Sequence, residues 1–90
     1  MRYITTNADT RIPKETQLIM WFMLDRMDIE KDYLQIFSLS IKDNQQHILH
    51  SQEQPPWREE VLFESDTPVK EKVYIIKKGN YETMMLAEDY

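Results

Sequence analysis

The chain has 90 residues, a formal net charge of -5 and no cysteine, so it holds one domain, of a size that buries only about two-thirds of its unfolded surface. Hydrophobic residues at 41% and charged residues at 30% exclude a disordered chain. The missing thiols exclude disulfides and thiolate metal sites, and the negative charge weighs against nucleic acid as a partner.

The first residues, Met-Arg-Tyr-Ile-Thr-Thr, carry no signal-peptide apolar core. The longest apolar run, Leu18 to Leu24, is far shorter than the roughly 20 residues a bilayer span needs. No membrane association is expected, and the absence of cysteine agrees with a cytoplasmic location. Arg2 to Ala8 reads as a first strand, and Asn7 to Arg11 as a loop. Pro13 suits the first turn of a helix, where its missing N–H costs nothing. The pattern predicts one helix from about Pro13 to about Ile29, with no glycine to mark its end.

That helix is unusually apolar: eight of the eleven residues from Gln17 to Met27 are hydrophobic. At about 100° per residue, Thr16, Ile19, Met20, Met23 and Met27 share an uncharged side with Leu24 at its margin, and this side is assigned to the core. Leu18, Trp21, Phe22 and Ile29 fall on the other side, among Lys14, Glu15, Asp25, Arg26 and Asp28. Aromatic residues within a charged rim suit a protein interface. Wrapping by the N-terminal strand or by the segment around Gln52–Trp57 would bury Trp21 and Phe22 inside the domain instead.

Leu34 to Lys42 and Gln45 to Gln52 read as strands joined at Asp43-Asn44, residues that tolerate positive φ. This register sets Leu39 opposite Ile48, Phe37 opposite His50 and Ser40 opposite His47. Phe37, Leu39, Ile41 and Ile48 then form an apolar face, and Ser38, Ser40 and His47 the mainly wet one, with Ile36 and Leu49 as exceptions. Pro55-Pro56 ends the second of these strands, Trp57 to Glu64 forms another, and Ser65 to Pro68 is a turn. Val73 to Lys78 and Tyr81 to Leu86 form a hairpin around Gly79-Asn80, where a leading glycine favours a type II′ turn. Its register pairs Lys77 with Glu82, Ile75 with Met84 and Val73 with Leu86. Tyr74, Ile76, Tyr81, Thr83 and Met85 occupy its other face. Both faces of this hairpin are largely apolar, so the sheet must curl on itself or meet a partner.

No motif for catalysis or cofactor binding is present. His47 and His50 lie three residues apart on a strand and diverge to opposite faces, which argues against a metal pair. His50 is expected to be a satisfied residue beside Phe37. Ser40 and His47 are neighbours, but no acid is evident behind them to complete a triad. The single glycine serves a turn and leaves no phosphate loop. Lys70, Lys72, Lys77 and Lys78 beside Tyr74 and Tyr81 could serve single-stranded nucleic acid, against which stands the ordinary use of lysine to keep an edge strand soluble.

Three stretches, Ile12-Pro13 with Gln17, Trp21 and Asp25, then Asp32 to Ser40, then Glu82 to Tyr90, together resemble the family catalogued as domain of unknown function 960. The resemblance spans nearly the whole chain. It implies a compact α+β domain from the cytoplasm of Gram-positive bacteria or their mobile elements, and brings no catalytic residues with it. Phe22 and the methionine-rich helix depart from the family pattern, which would make the helix's second face peculiar to this chain.

The expected fold is α+β, a single domain over residues 1–90 with a curved, mostly antiparallel sheet of about five or six strands and one N-terminal helix packed on it. The expected function is that of a non-enzymatic protein-interaction module, as a homodimer or an adaptor, without cofactor or metal. Leu18, Trp21, Phe22 and Asp25 are its first candidate contacts, and Tyr74, Ile76 and Met85 the second. The alternative is a small-molecule binder or enzyme with a pocket between helix and sheet near Trp21, Trp57 and His50.

Overall fold

Alternation of apolar side chains builds the sheet, and the helices follow from where its apolar face must be covered. The computed structural model describes residues 1–90. In chain order it contains β1 (Arg2–Ile4), α1 (Thr6–Arg11), α2 (Lys14–Asp25), β2 (Leu34–Lys42), β3 (Gln45–Gln52), β4 (Trp57–Phe63), β5 (Glu71–Lys78) and β6 (Tyr81–Leu86), then a one-turn 3-10 helix at Ala87–Asp89. The six strands form one open, mixed sheet in the order β1-β6-β5-β2-β3-β4. Only the β1–β6 pairing is parallel; the other neighbours run antiparallel.

Both hairpins hold the expected registers. Phe37 lies opposite His50 and Leu39 opposite Ile48, while Val73 faces Leu86 and Ile75 faces Met84. Asp43 and Asn44 both take positive φ, 51° and 64°, as a type I′ turn requires. At the other hairpin only Gly79, at φ 61°, is left-handed, the pattern of a type II′ turn.

Three expectations need correction. There are two helices, not one: Asn7 to Arg11, expected as loop, belongs to α1. The Thr5 hydroxyl accepts from the Ala8 N–H at 3.3 Å and caps its start, and Ala8 and Ile12 are buried beneath it. The first strand consequently stops at Ile4 rather than Ala8. Helix α2 ends at Asp25 rather than near Ile29, and Met27 reaches the core from a turn beyond it. Ile41, expected on the core face with Phe37 and Leu39, is 50% exposed, because the pairing of β2 with β5 ends at Leu39 and leaves Ile41 without a neighbour on that side.

One hydrophobic cluster unites Ala8, Ile12, Met20, Met23, Leu24 and Met27 from the helical side with Phe37, Leu39, Ile48, Val73, Ile75, Met84 and Leu86 from the sheet. All seven sheet residues share one face by register. The helix side assigned to the core is thus the buried one.

The polar part of this face is not evident from the alternation. Gln35, Gln46, His50 and Gln52 are all buried. His50 Nε2 donates to Gln35 Oε1 at 2.7 Å, and Gln35 Nε2 donates to Gln52 Oε1 at 2.7 Å. Gln52 Oε1 also accepts from the Asp32 N–H, while its amide donates to the carbonyls of Glu30 and Pro55. Buried amides require such partners, since an unmade bond in the interior costs about 1–3 kcal/mol. The chain joins the end of α2 to β2 through this network.

Candidate functional site

Six strands bear helices on one face only. On the uncovered face the register aligns Met85, Tyr74, Ile36, Ser51 and Arg58 in one row across β6, β5, β2, β3 and β4. A second row holds Tyr3, Thr83, Ile76 and Leu34, and a third Lys72, Ser38, Leu49 and Glu60. An antiparallel sheet with one wet face ordinarily carries polar side chains there. Here the middle is apolar: Leu34, Ile36, Leu49, Tyr74, Ile76 and Met85 are half-buried by one another rather than by a second layer. Tyr90 packs edge-on against Tyr74 at 5.7 Å, and Tyr3 against Tyr81 at 5.6 Å. The second candidate group, Tyr74, Ile76 and Met85, is therefore brought together at the centre of this face.

The first candidate group is divided. Leu18 and Phe22 are 68% and 62% exposed, one turn apart on α2. Trp21 is half-buried against the core and lies beneath the Arg2 guanidinium, 4.6 Å from its ring centroid. Arg2 Nη1 also donates to Asp25 Oδ2 at 3.1 Å, and its Nε to Glu82 Oε1 at 3.0 Å. The bond from Arg2 holds the Asp25 carboxyl below its ordinary range, and Arg2 in turn stays more firmly charged. Strand β1 thus covers Trp21 and occupies Asp25, leaving Leu18 and Phe22 as the free apolar part of α2.

Trp21, Trp57 and His50 do not converge on one cavity. His50 is fully buried, stacked on Phe37 at 4.1 Å and met edge-on by Trp57 at 4.8 Å. Trp21 lies by β1 and Trp57 on β4, at opposite edges of the sheet. A depression of about 140 Å³ does open where α2 meets the sheet, lined by Leu24, Asp32, Gln35, Ile75 and Glu82 among others. It contains none of the three and falls below the roughly 300 Å³ at which ligand pockets begin. Burial pushes the His50 imidazole down to about 4, so it is neutral at pH 7. Its Nδ1 has no partner.

Sequence reasoning missed one constellation on the open face. Ser40 Oγ lies 3.0 Å from His47 Nδ1, and Glu60 Oε2 lies 2.8 Å from His47 Nε2. The carboxylate fixes Nε2 as donor, so Nδ1 accepts from the Ser40 hydroxyl, and the bond from His47 keeps the Glu60 carboxyl below its usual range. The acid behind His47 therefore exists, contrary to expectation. It comes from β4, diagonal to the His47–Leu62 pair, and only knowledge of the β3–β4 register could have found it. Acyl transfer also needs room for the acyl group within reach of oxyanion donors. No depression of the surface includes Ser40 or His47, and the three residues amount to a hydrogen-bonded cross-strand link.

Neither helix is long and apolar enough to cross a membrane. Among solved structures, a crystal structure of the protein of unknown function from Enterococcus faecalis is similar in fold. It has a TM-score of 0.85 at 18% identity, covering 99% of this chain and 89% of that one. No curated protein matches the chain. The model of one family, described as staphylococcal protein of unknown function, DUF960, matches residues 1–89. The chain belongs to that family.

Proposed function

We propose that the protein is a non-enzymatic interaction module whose binding surface is the open face of the sheet. One observation carries this reading: six apolar side chains meet at the centre of a face that neither α1 nor α2 covers and that only Tyr90 touches, at Tyr74. Continuous apolar surface rimmed by polar residues is characteristic of protein interaction sites. The test is selection of ligands for the intact protein from a random linear peptide library displayed on phage. Each selected peptide is then titrated against the parent, Ile76→Ser and Phe22→Ser. Binding that Ile76→Ser weakens about tenfold, a loss of some 1.4 kcal/mol, and that Phe22→Ser leaves unchanged supports the open face. The reverse pattern places the site on α2, and binding indifferent to both refutes the reading.

A second reading rests on Leu18 and Phe22, whose exposure one turn apart on α2 suits a helix-to-helix homodimer. Light scattering over a wide concentration range tests it: a dimer that Phe22→Glu converts to a folded monomer supports it, and a monomeric parent refutes it.

A further inference from the structure

We propose that the partner of the open face is an acidic protein segment, one that sets apolar side chains on the row of Ile36, Tyr74 and Met85 and carboxylates against the cations around it. The proposal rests on the reading of the open face given above.

The charge of the molecule is unevenly spread. The chain as a whole carries -5. Yet the strand residues that face away from the helices include four cations, Lys42, Arg58, Lys72 and Lys78, and a single carboxylate, Glu60. The other three strand carboxylates, Glu59, Glu71 and Glu82, lie on the helical face. The cations also differ in how they are used. On the helical side Arg2, Arg11, Lys14 and Arg26 each reach a carboxylate, and Lys77 alone of the strand cations on that face does not. None of the four cations of the open face has an acid within 4.0 Å. The one carboxylate there is engaged by His47.

A surface of this kind sets the sign of its partner. Unpaired cations framing an apolar centre attract an acidic segment during approach and repel a basic one, an effect expressed in association rate and in specificity. A second copy placed face to face would bring the same four cations together, which disfavours self-pairing here. The apolar centre favours protein over single-stranded nucleic acid. Stacked bases need open aromatic faces, whereas Tyr74, the central ring, is met by Tyr90 at 5.7 Å and by Lys72 at 5.8 Å and is surrounded by aliphatic side chains.

The experiment extends the same selection. Peptides whose binding depends on Ile76 are sequenced, and their affinities measured at low and high salt against the parent and against Lys72→Glu with Arg58→Glu. The expected peptides are rich in Asp and Glu alternating with apolar residues. Salt weakens them, and the double variant weakens them about tenfold or more, mainly through slower association. If the double variant proves unstable in thermal melts, Lys72→Gln with Arg58→Gln serves in its place. Peptides that depend on Ile76 but are neutral or basic and indifferent to salt overturn the acidic partner and leave the interaction surface standing. Peptides indifferent to Ile76 overturn both. A labelled oligothymidine that competes with the peptides and is lost with Lys72→Glu gives the face to nucleic acid. A dimer in light scattering that Ile76→Ser dissociates gives it to a second copy. Either result refutes the proposal.

Discussion

Ile75 and Ile76 are adjacent in β5, identical in chemistry and opposite in fate. Ile75 is 1% exposed beneath α2, opposite Met84 and Gln35. Ile76 lies on the bare face between Thr83 and Leu34. What separates them is only the side of the pleat on which the helices settle. On the face of Ile75 the buried glutamines find hydrogen bonds, the His50 imidazole finds one through Nε2, and Arg2 and Arg26 find acids. Around Ile76, apolar side chains shade one another and the cations stand alone. One face is organised for stability, and the other carries the same kinds of residue with those requirements left unmet.

The comparison can be broken most directly by truncation. Ile75→Ala should cost about 3 to 4 kcal/mol, the transfer loss plus an unrelaxed cavity, while Ile76→Ala should cost about 1 kcal/mol or less. Urea denaturation of both variants measures the difference, and equal losses would mean that the open face is packed as tightly as the covered one.

Acid probes the covered face through His50. Its folded value of about 4 lies below the unfolded 6.5, so the fold favours the neutral ring. The associated stability is complete above 6.5, falls as the pH drops towards 4 and is level below that. The total is roughly 3 kcal/mol. His50→Phe should remove this slope between pH 6.5 and 4.5, whatever its effect on absolute stability. A parent and a variant with parallel pH profiles would contradict it.

Gln52→Leu removes the shared acceptor of Gln35 and Asp32 and the donor to Glu30 and Pro55. A loss of about 2 kcal/mol is expected, with faster amide exchange concentrated in residues 26–33. The smallest effect belongs to the β1 margin. Arg2→Ala should cost about 1 kcal/mol, because its contacts with Trp21, Asp25 and Glu82 are partly exposed. Its clearer sign is a red shift of Trp21 fluorescence as the indole meets water.

Much of this architecture was legible in the sequence. The hairpins follow from Asp43-Asn44 and Gly79-Asn80 together with strict alternation, and the core side of α2 from the spacing of Met20, Met23 and Met27. Helix α1 escaped because six residues are too few to display a 3.6-residue period; the Thr5 cap was its one local sign. The buried glutamines share the parity of Phe37 and Ile48, yet a polar residue at a core position is read as surface unless its partner is known, and Gln35 meets Gln52 from seventeen positions away. The same limit hid Glu60 behind His47. The apolar character of the open face was visible in Tyr74, Ile76 and Met85. That it would remain uncovered depended on both helices choosing the other side, which no local pattern states.

The buried glutamines also discriminate between alignments of the sheet. A strand that slips by one residue turns its apolar side chains outward and is rejected by hydrophobicity alone. A slip by two residues keeps every apolar side chain on its proper face, and burial barely distinguishes it from the native alignment. Gln35, Gln52 and His50 do distinguish it, because a two-residue shift between β2 and β3 would separate donors from acceptors inside the core and leave them without water. In this protein the polar residues of the interior proofread the pairing that the apolar ones propose.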